Sequence, residues 1–148
     1  MKSIKTIFLI IPFALCFTNM QCEDDINIDS PNQICDETIL VDQDLYDSLT
    51  ASDFTFINAK IIDDCLTIEI GASGCDGNTW GFNLVDSGAV AESSPEQRYL
   101  KFQLINEEDC LAYFERTMSF NLIPLQVNGS REIILHIEDL ETLLYYKY

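Results

Sequence analysis

The sequence predicts an all-β protein, an antiparallel β-sandwich of about seven to eight strands stabilised by disulfides. Three observations predict it. Short runs alternating apolar and polar residues recur along the chain, Asn, Asp and Gly turn signals fall between them, and no stretch sustains a long helical period. The 148 residues suit one domain, and 47% hydrophobic with 22% charged residues is the composition of a folded protein.

The elements follow in order. Thr38–Val41 is a short apolar run, and Asp42–Ser52 (DQDLYDSLTAS) has room for one helical turn. Phe54–Ile62 (FTFINAKII) is rich in aromatic and β-branched residues, which fit a pleated, half-buried surface. Cys65–Ile70 (CLTIEI) sets Leu66, Ile68 and Ile70 on one face and Thr67 and Glu69 on the other. Thr79–Val85 groups Trp80, Phe82 and Leu84, with Trp80 expected in the core, and Arg98–Ile105 groups Leu100, Phe102 and Leu104. Leu111–Leu122 alternates through Phe114, Met118 and Phe120, with Arg116 interrupting that face. Arg131–Glu138 inserts Ile133, Leu135 and Ile137, and Leu143–Tyr148 (LLYYKY) closes the chain as an aromatic strand. Asp63-Asp64, Asp76-Gly77-Asn78 and Asn128-Gly129 supply tight turns, because these residues accept positive φ at low cost. Ser87-Gly88 and Ser93-Ser94-Pro95 mark a looser loop. Pro124 lacks an N–H for a ladder, so a strand end or bulge is its place.

The chain opens with Lys2 and Lys5, followed by the apolar run Thr6–Phe17. That run is too short to span a bilayer core of about 30 Å and contains Pro12. A charged start, a short apolar core and a polar continuation describe a secretory signal peptide over residues 1–21. No A-x-A pattern precedes a cut; Cys22 follows instead, then Glu23-Asp24-Asp25. Residues 1–25 resemble the signal of a bacterial lipoprotein, and the acids behind the cysteine resemble the surface-export signal of Bacteroidetes lipoproteins. The match departs from the usual lipobox at Asn19 and Gln21. The resemblance implies lipidation at Cys22, anchoring without a spanning helix, and a place in the cell envelope, at the outer membrane and on the cell surface. The alternative is a soluble secreted protein with Cys22 unmodified. Residues 22–33, acidic and carrying Pro31, read as a tether, and residues 34–148 as one domain. The late runs SFNLIPLQ, REIILHIE and LLYYKY are similar to those of small secreted β-domains from the same bacterial group, a likeness that implies no activity.

Six cysteines are present; Cys16 falls in the signal and Cys22 is the lipid site. The remaining four, Cys35, Cys65, Cys75 and Cys110, suit two disulfides in an oxidising compartment. Three pairings are open. Cys35–Cys65 with Cys75–Cys110 is preferred, each closing a loop of about 30–35 residues at roughly 3–4 kcal/mol in the loop-entropy picture. Zinc is disfavoured because no C-x₂-C pair exists and His136 is the single histidine.

Charge narrows the function classes. The formal charge is −17, and loss of Lys2 and Lys5 with the signal makes the mature chain more acidic. Such a surface repels nucleic acid and anionic lipid head groups. Catalytic signatures are thin. His136 sits mid-strand on the face opposite Ile133, Leu135 and Ile137, a surface position rather than an acid–base site. Gly71-Ala72-Ser73-Gly74-Cys75 misses the nucleophile elbow at its fifth position and continues toward a strand. Asp42, Asp44 and Asp47, Asp63-Asp64 and Glu107-Glu108-Asp109 are carboxylate clusters, and Asp76-Gly77-Asn78 resembles a fragment of a calcium loop but lacks the later bidentate Glu at the right spacing. No cofactor, metal or catalytic residue is therefore expected. Cys65 and Trp80 have a spacing reminiscent of immunoglobulin domains, yet Glu108 stands where their corner tyrosine belongs. Tyr145, Tyr146 and Tyr148 are the residues left for a binding role. The reading is a membrane-anchored, non-catalytic binding or accessory module whose partner is an envelope protein or glycan. The alternatives are a small envelope hydrolase using paired carboxylates and a secreted acidic inhibitor of a basic partner.

Overall fold

A computed structural model describes residues 34–50 and 53–148. The expected signal peptide (residues 1–21) and the expected lipid site and tether (residues 22–33) lie outside the described residues. Two sheets face each other. One contains β1 (Glu37–Thr38), β3 (Thr55–Ile62), β4 (Cys65–Gly74) and β7 (Ala112–Asn121), in the order β1-β7-β4-β3. The other contains β2 (Leu40–Val41), β5 (Gly81–Ala91), β6 (Glu96–Ile105), β8 (Glu132–Ile137) and β9 (Leu144–Lys147), in the order β2-β5-β6-β8-β9. The disulfide-stabilised all-β sandwich is therefore observed, with one short helix, α1 (Gln43–Ser48), and a 3₁₀ turn at Ile123–Leu125. Asp42 caps α1 by accepting the Leu45 N–H at 2.9 Å.

The pairing departs from the sequence expectation in a few places. β3–β4, β4–β7, β5–β6 and β8–β9 are antiparallel, whereas β1–β7, β2–β5 and β6–β8 are parallel. The last arises because β7, which follows β6, belongs to the opposite sheet. The chain crosses over, turns at Ile123–Leu125 and returns to β6 in the direction it left. The run Thr38–Val41 is one strand in sequence but divides between the sheets. Its first part joins β7, its last joins β5, and Ile39 is buried between them. Ser87-Gly88, expected in a loop, is a bulge within β5, where the register shifts between Asp86 and Val90 and Gly88 takes φ +80°. Pro124 falls in the 3₁₀ turn at the end of β7, as its missing donor requires.

The inward faces follow the alternation. Leu66, Ile68 and Ile70 of β4 meet Leu84, Leu100, Phe102, Leu104, Ile133 and Leu135 of the other sheet in one core that includes Trp80 and Phe120. Phe102 is its aromatic centre, with ring centroids of Phe54, Phe56, Phe82 and Phe120 between 5.1 and 6.2 Å away. Cys35–Cys65 and Cys75–Cys110 are bonded, the pairing preferred from the sequence. Cys65 begins β4 and Cys75 directly follows it, so this central strand is stapled at both ends.

Candidate functional site

The outer face of the five-stranded sheet gathers aromatic side chains that the core does not use. On β6, Leu100 and Arg98 point inward, so Tyr99 points out and is 43% exposed. Parallel pairing sets Tyr99 beside His136 of β8, and their rings stack at 4.8 Å. Two residues back on the same face, Ile134 pairs with Tyr145 of β9, which is 56% exposed. Tyr46 of α1 completes the row. A shallow hollow of about 210 Å³ is bounded by Tyr46, Tyr99 and His136 with Glu138 at its rim. Lys101 reaches over the Tyr46 ring, 4.7 Å from its centroid, and lies 3.9 Å from Glu138. Burial foremost, then the charge of Glu138, raises the Tyr46 pKa, so its hydroxyl stays protonated and able to donate. His136 Nε2 lies 2.6 Å from the Gln97 side-chain oxygen.

The three tyrosines of the last strand separate. Tyr145 alone faces solvent on this row. Tyr146 is fully buried: its hydroxyl donates to Asp64 and accepts from the Gln126 amide at 2.8 Å. Burial and the Asp64 carboxylate push its pKa well above the ordinary tyrosine value. Tyr148 is half-buried, packs 4.9 Å from Tyr146 and accepts the Val127 N–H at 2.8 Å. Period-two alternation explains the split, since Tyr145 is the odd member among inward-facing residues. Tyr146 and Tyr148 therefore tie the final strand to the Asp63-Asp64 turn and the segment after β7.

Of the acidic clusters, the one containing Glu108 is committed to a turn. At one end of the sandwich Glu108 Oε2 accepts the backbone N–H groups of Cys75, Asp76 and Gly77 at 2.6, 3.2 and 3.1 Å. Its Oε1 accepts the Thr79 hydroxyl at 2.6 Å. The Thr79 hydroxyl and these amides hold the Glu108 carboxyl down to about 2. A general acid needs the opposite shift, so this carboxylate is a brace for the Asp76-Gly77-Asn78 turn. Arg116, which interrupts the apolar face of β7, braces the same turn. It donates to the carbonyls of Gly77 (3.1 Å) and Asp76 and to the Asn78 side chain at 2.9 Å. Ser73 and Gly71 lie within β4, so the glycine–serine motif is strand and not an elbow. Among the described residues no group of three or more His, Cys, Asp or Glu side chains is placed to hold a metal ion.

No family model matches this chain. No curated protein matches it either. Solved structures do. A protein of unknown function, DUF1344, from Bacteroides vulgatus is similar over 76% of this chain and 56% of its own, with a TM-score of 0.52 and 15% identity. A protein from Parabacteroides distasonis, described only as "toxin related", is similar over 76% of this chain and 58% of its own, with a TM-score of 0.50 and 21% identity. The chain thus spans a little over half the length of each, and the likeness is one of fold.

One buried feature escaped the sequence reading. Asp86 and Arg98 face inward from β5 and β6 and form an ion pair at 2.9 Å, with Asp86 wholly buried. Asp86 also accepts the Gly88 N–H at 2.5 Å. Its pKa is raised chiefly by burial, against the opposing pull of the Gly88 amide and Arg98. The available signal was parity: Asp86 continues the Phe82–Leu84 face, and Arg98 the Leu100–Phe102 face.

Proposed function

We propose that this chain is an envelope lipoprotein, held at the outer membrane through acyl chains on Cys22, whose sandwich is a non-catalytic binding module. The observation that carries the binding reading is the row Tyr46–Tyr99–His136–Ile134–Tyr145 on the outer face of the five-stranded sheet, in which Tyr99 and Tyr145 are exposed and the other three half-buried. Exposed tyrosines combine a large apolar body with a polar tip and are enriched where proteins meet partners. The bound partner is an envelope protein or a glycan. Two disulfides favour a compartment outside the cytoplasm. The hydrolase reading loses ground because Glu108 is committed to four donors and held ionised.

Two measurements in the native host test this. An alkyne fatty acid should label the parent chain and leave Cys22→Ala unlabelled; an unlabelled parent removes the anchor. Capture from envelope extract with the full chain should recover a partner that Tyr99→Ala/Tyr145→Ala recovers at least tenfold less. Equal recovery by the double variant would discard the aromatic row as the binding face. Purified chain that turns over envelope glycans or peptides would discard the non-catalytic reading.

A further inference from the structure

The long open edge of the sandwich is β3. It pairs with β4 on one side, and no described strand pairs with the other. The other edge strands are short, two residues each in β1 and β2 and four in β9, against eight in β3. Asp63-Asp64 is a two-residue turn, so Ile62 and Cys65 flank a tight hairpin. Such a flanking pair exchanges both of its hydrogen bonds. Alternation along the ladder then turns the backbone N–H and C=O groups of Ala59 and Ile61 away from β4. An edge with unpaired groups of this kind is a template for another strand.

A groove accompanies the first half of this edge. It encloses about 470 Å³ between Phe54–Ile57 on one wall and the Asp139–Thr142 turn on the other. Phe54, Phe56 and Leu140 pack against the core and give it an apolar floor. Asp139 and Glu141 are exposed and place two carboxylates in its lining, which contains no Lys or Arg. Lys60, the one charged residue of β3, pairs with Thr67 farther along and is not in the groove.

We propose that β3 accepts an extended basic peptide as an added strand, with alternate Lys or Arg side chains entering the groove. Main-chain hydrogen bonds along the edge supply affinity, and the groove selects side chains of one parity. The apolar floor suits the methylene stem of Lys or Arg, and the carboxylates suit its charged end. The formal charge of −17 steers a cationic segment toward the molecule. A second copy of this chain is a poorer occupant. Antiparallel self-pairing of β3 would set Asp53 of one copy near Asp63 and Asp64 of the other at both ends. This surface is separate from the Tyr99–Tyr145 row, so the two readings stand or fall independently.

The test uses the full chain in neutral detergent and three labelled octapeptides: alternating Lys and Val, alternating Glu and Val, and the Lys/Val peptide with two valines replaced by proline. Binding is followed by anisotropy, and backbone amide exchange is followed along β3. The Lys/Val peptide should bind at least tenfold tighter than the other two and slow exchange at Ala59 and Ile61 at least tenfold. Asp139→Asn/Glu141→Gln should weaken it at least fivefold with the melting temperature unchanged. Equal binding of the proline peptide would reduce the effect to bulk charge and overturn the proposal. Unchanged exchange along β3 would overturn it too, as would protection of Ala59 and Ile61 before any peptide is added.

Discussion

Arg98→Met leaves the Asp86 carboxylate between the sheets with no cation beside it. Breaking a buried pair from one side costs about 3–5 kcal/mol, whereas replacing both partners by apolar residues of similar size is near neutral or stabilising. Urea unfolding should therefore show a large loss for Arg98→Met and recovery in Asp86→Leu/Arg98→Met. An equal loss in both variants would mean that the pair itself, and not the orphaned charge, holds this end of the core. Glu108 makes a prediction in pH. Its folded pKa, about 2, lies below the ordinary carboxylate value, so the stability it contributes is present above about pH 4.5. That contribution is lost as pH falls from there toward 2. Thermal melts across this window should fall more steeply for the parent than for Glu108→Gln, and parallel curves would remove the brace. Neither role is visible in composition. A carboxylate in a cluster of three looks the same whether it meets solvent or three backbone amides.

At the scale of elements, alternation predicted the faces well wherever a strand is half-buried. Trp80, Phe82 and Leu84 share the inward face, as do Leu100, Phe102 and Leu104. The β4 strand runs four residues beyond its clean alternation. Gly71, Ala72 and Gly74 carry too little side chain to register as a pattern, and the Tyr113 hydroxyl fills the space a Cβ of Gly71 would occupy. Ser87-Gly88 looked like a loop because a bulge uses the same residues as a turn. Phe102→Ala should cost about 3–5 kcal/mol, because four phenylalanine rings surround the cavity it leaves and cannot all collapse into it. Denaturant unfolding measures this, and a cost under about 1 kcal/mol would mean that the rings repack freely.

At the scale of the whole molecule the disulfides bracket β4, and each closes a long loop, with sequence separations of 30 and 35. Cys35→Ala/Cys65→Ala and Cys75→Ala/Cys110→Ala should each lose about 3–4 kcal/mol in guanidinium titrations if loop entropy dominates. A loss confined to one pair would show that the other closes a loop already ordered in the unfolded chain. What the residues determined by themselves is local: strand faces, tight turns, the parity of buried side chains and the supply of four bridging cysteines. Those properties depend on neighbours one to four positions away, and the chain carries them in its alternation. What only the tertiary structure decided is long-range. The division of Glu37–Val41 between two sheets, the parallel return of β8 to β6, the meeting of Asp86 with Arg98 and the inward turn of Tyr146 onto Asp64 join residues 12 to 83 positions apart. No local pattern encodes such a contact, because it is selected by which pairing of distant segments buries the most apolar surface.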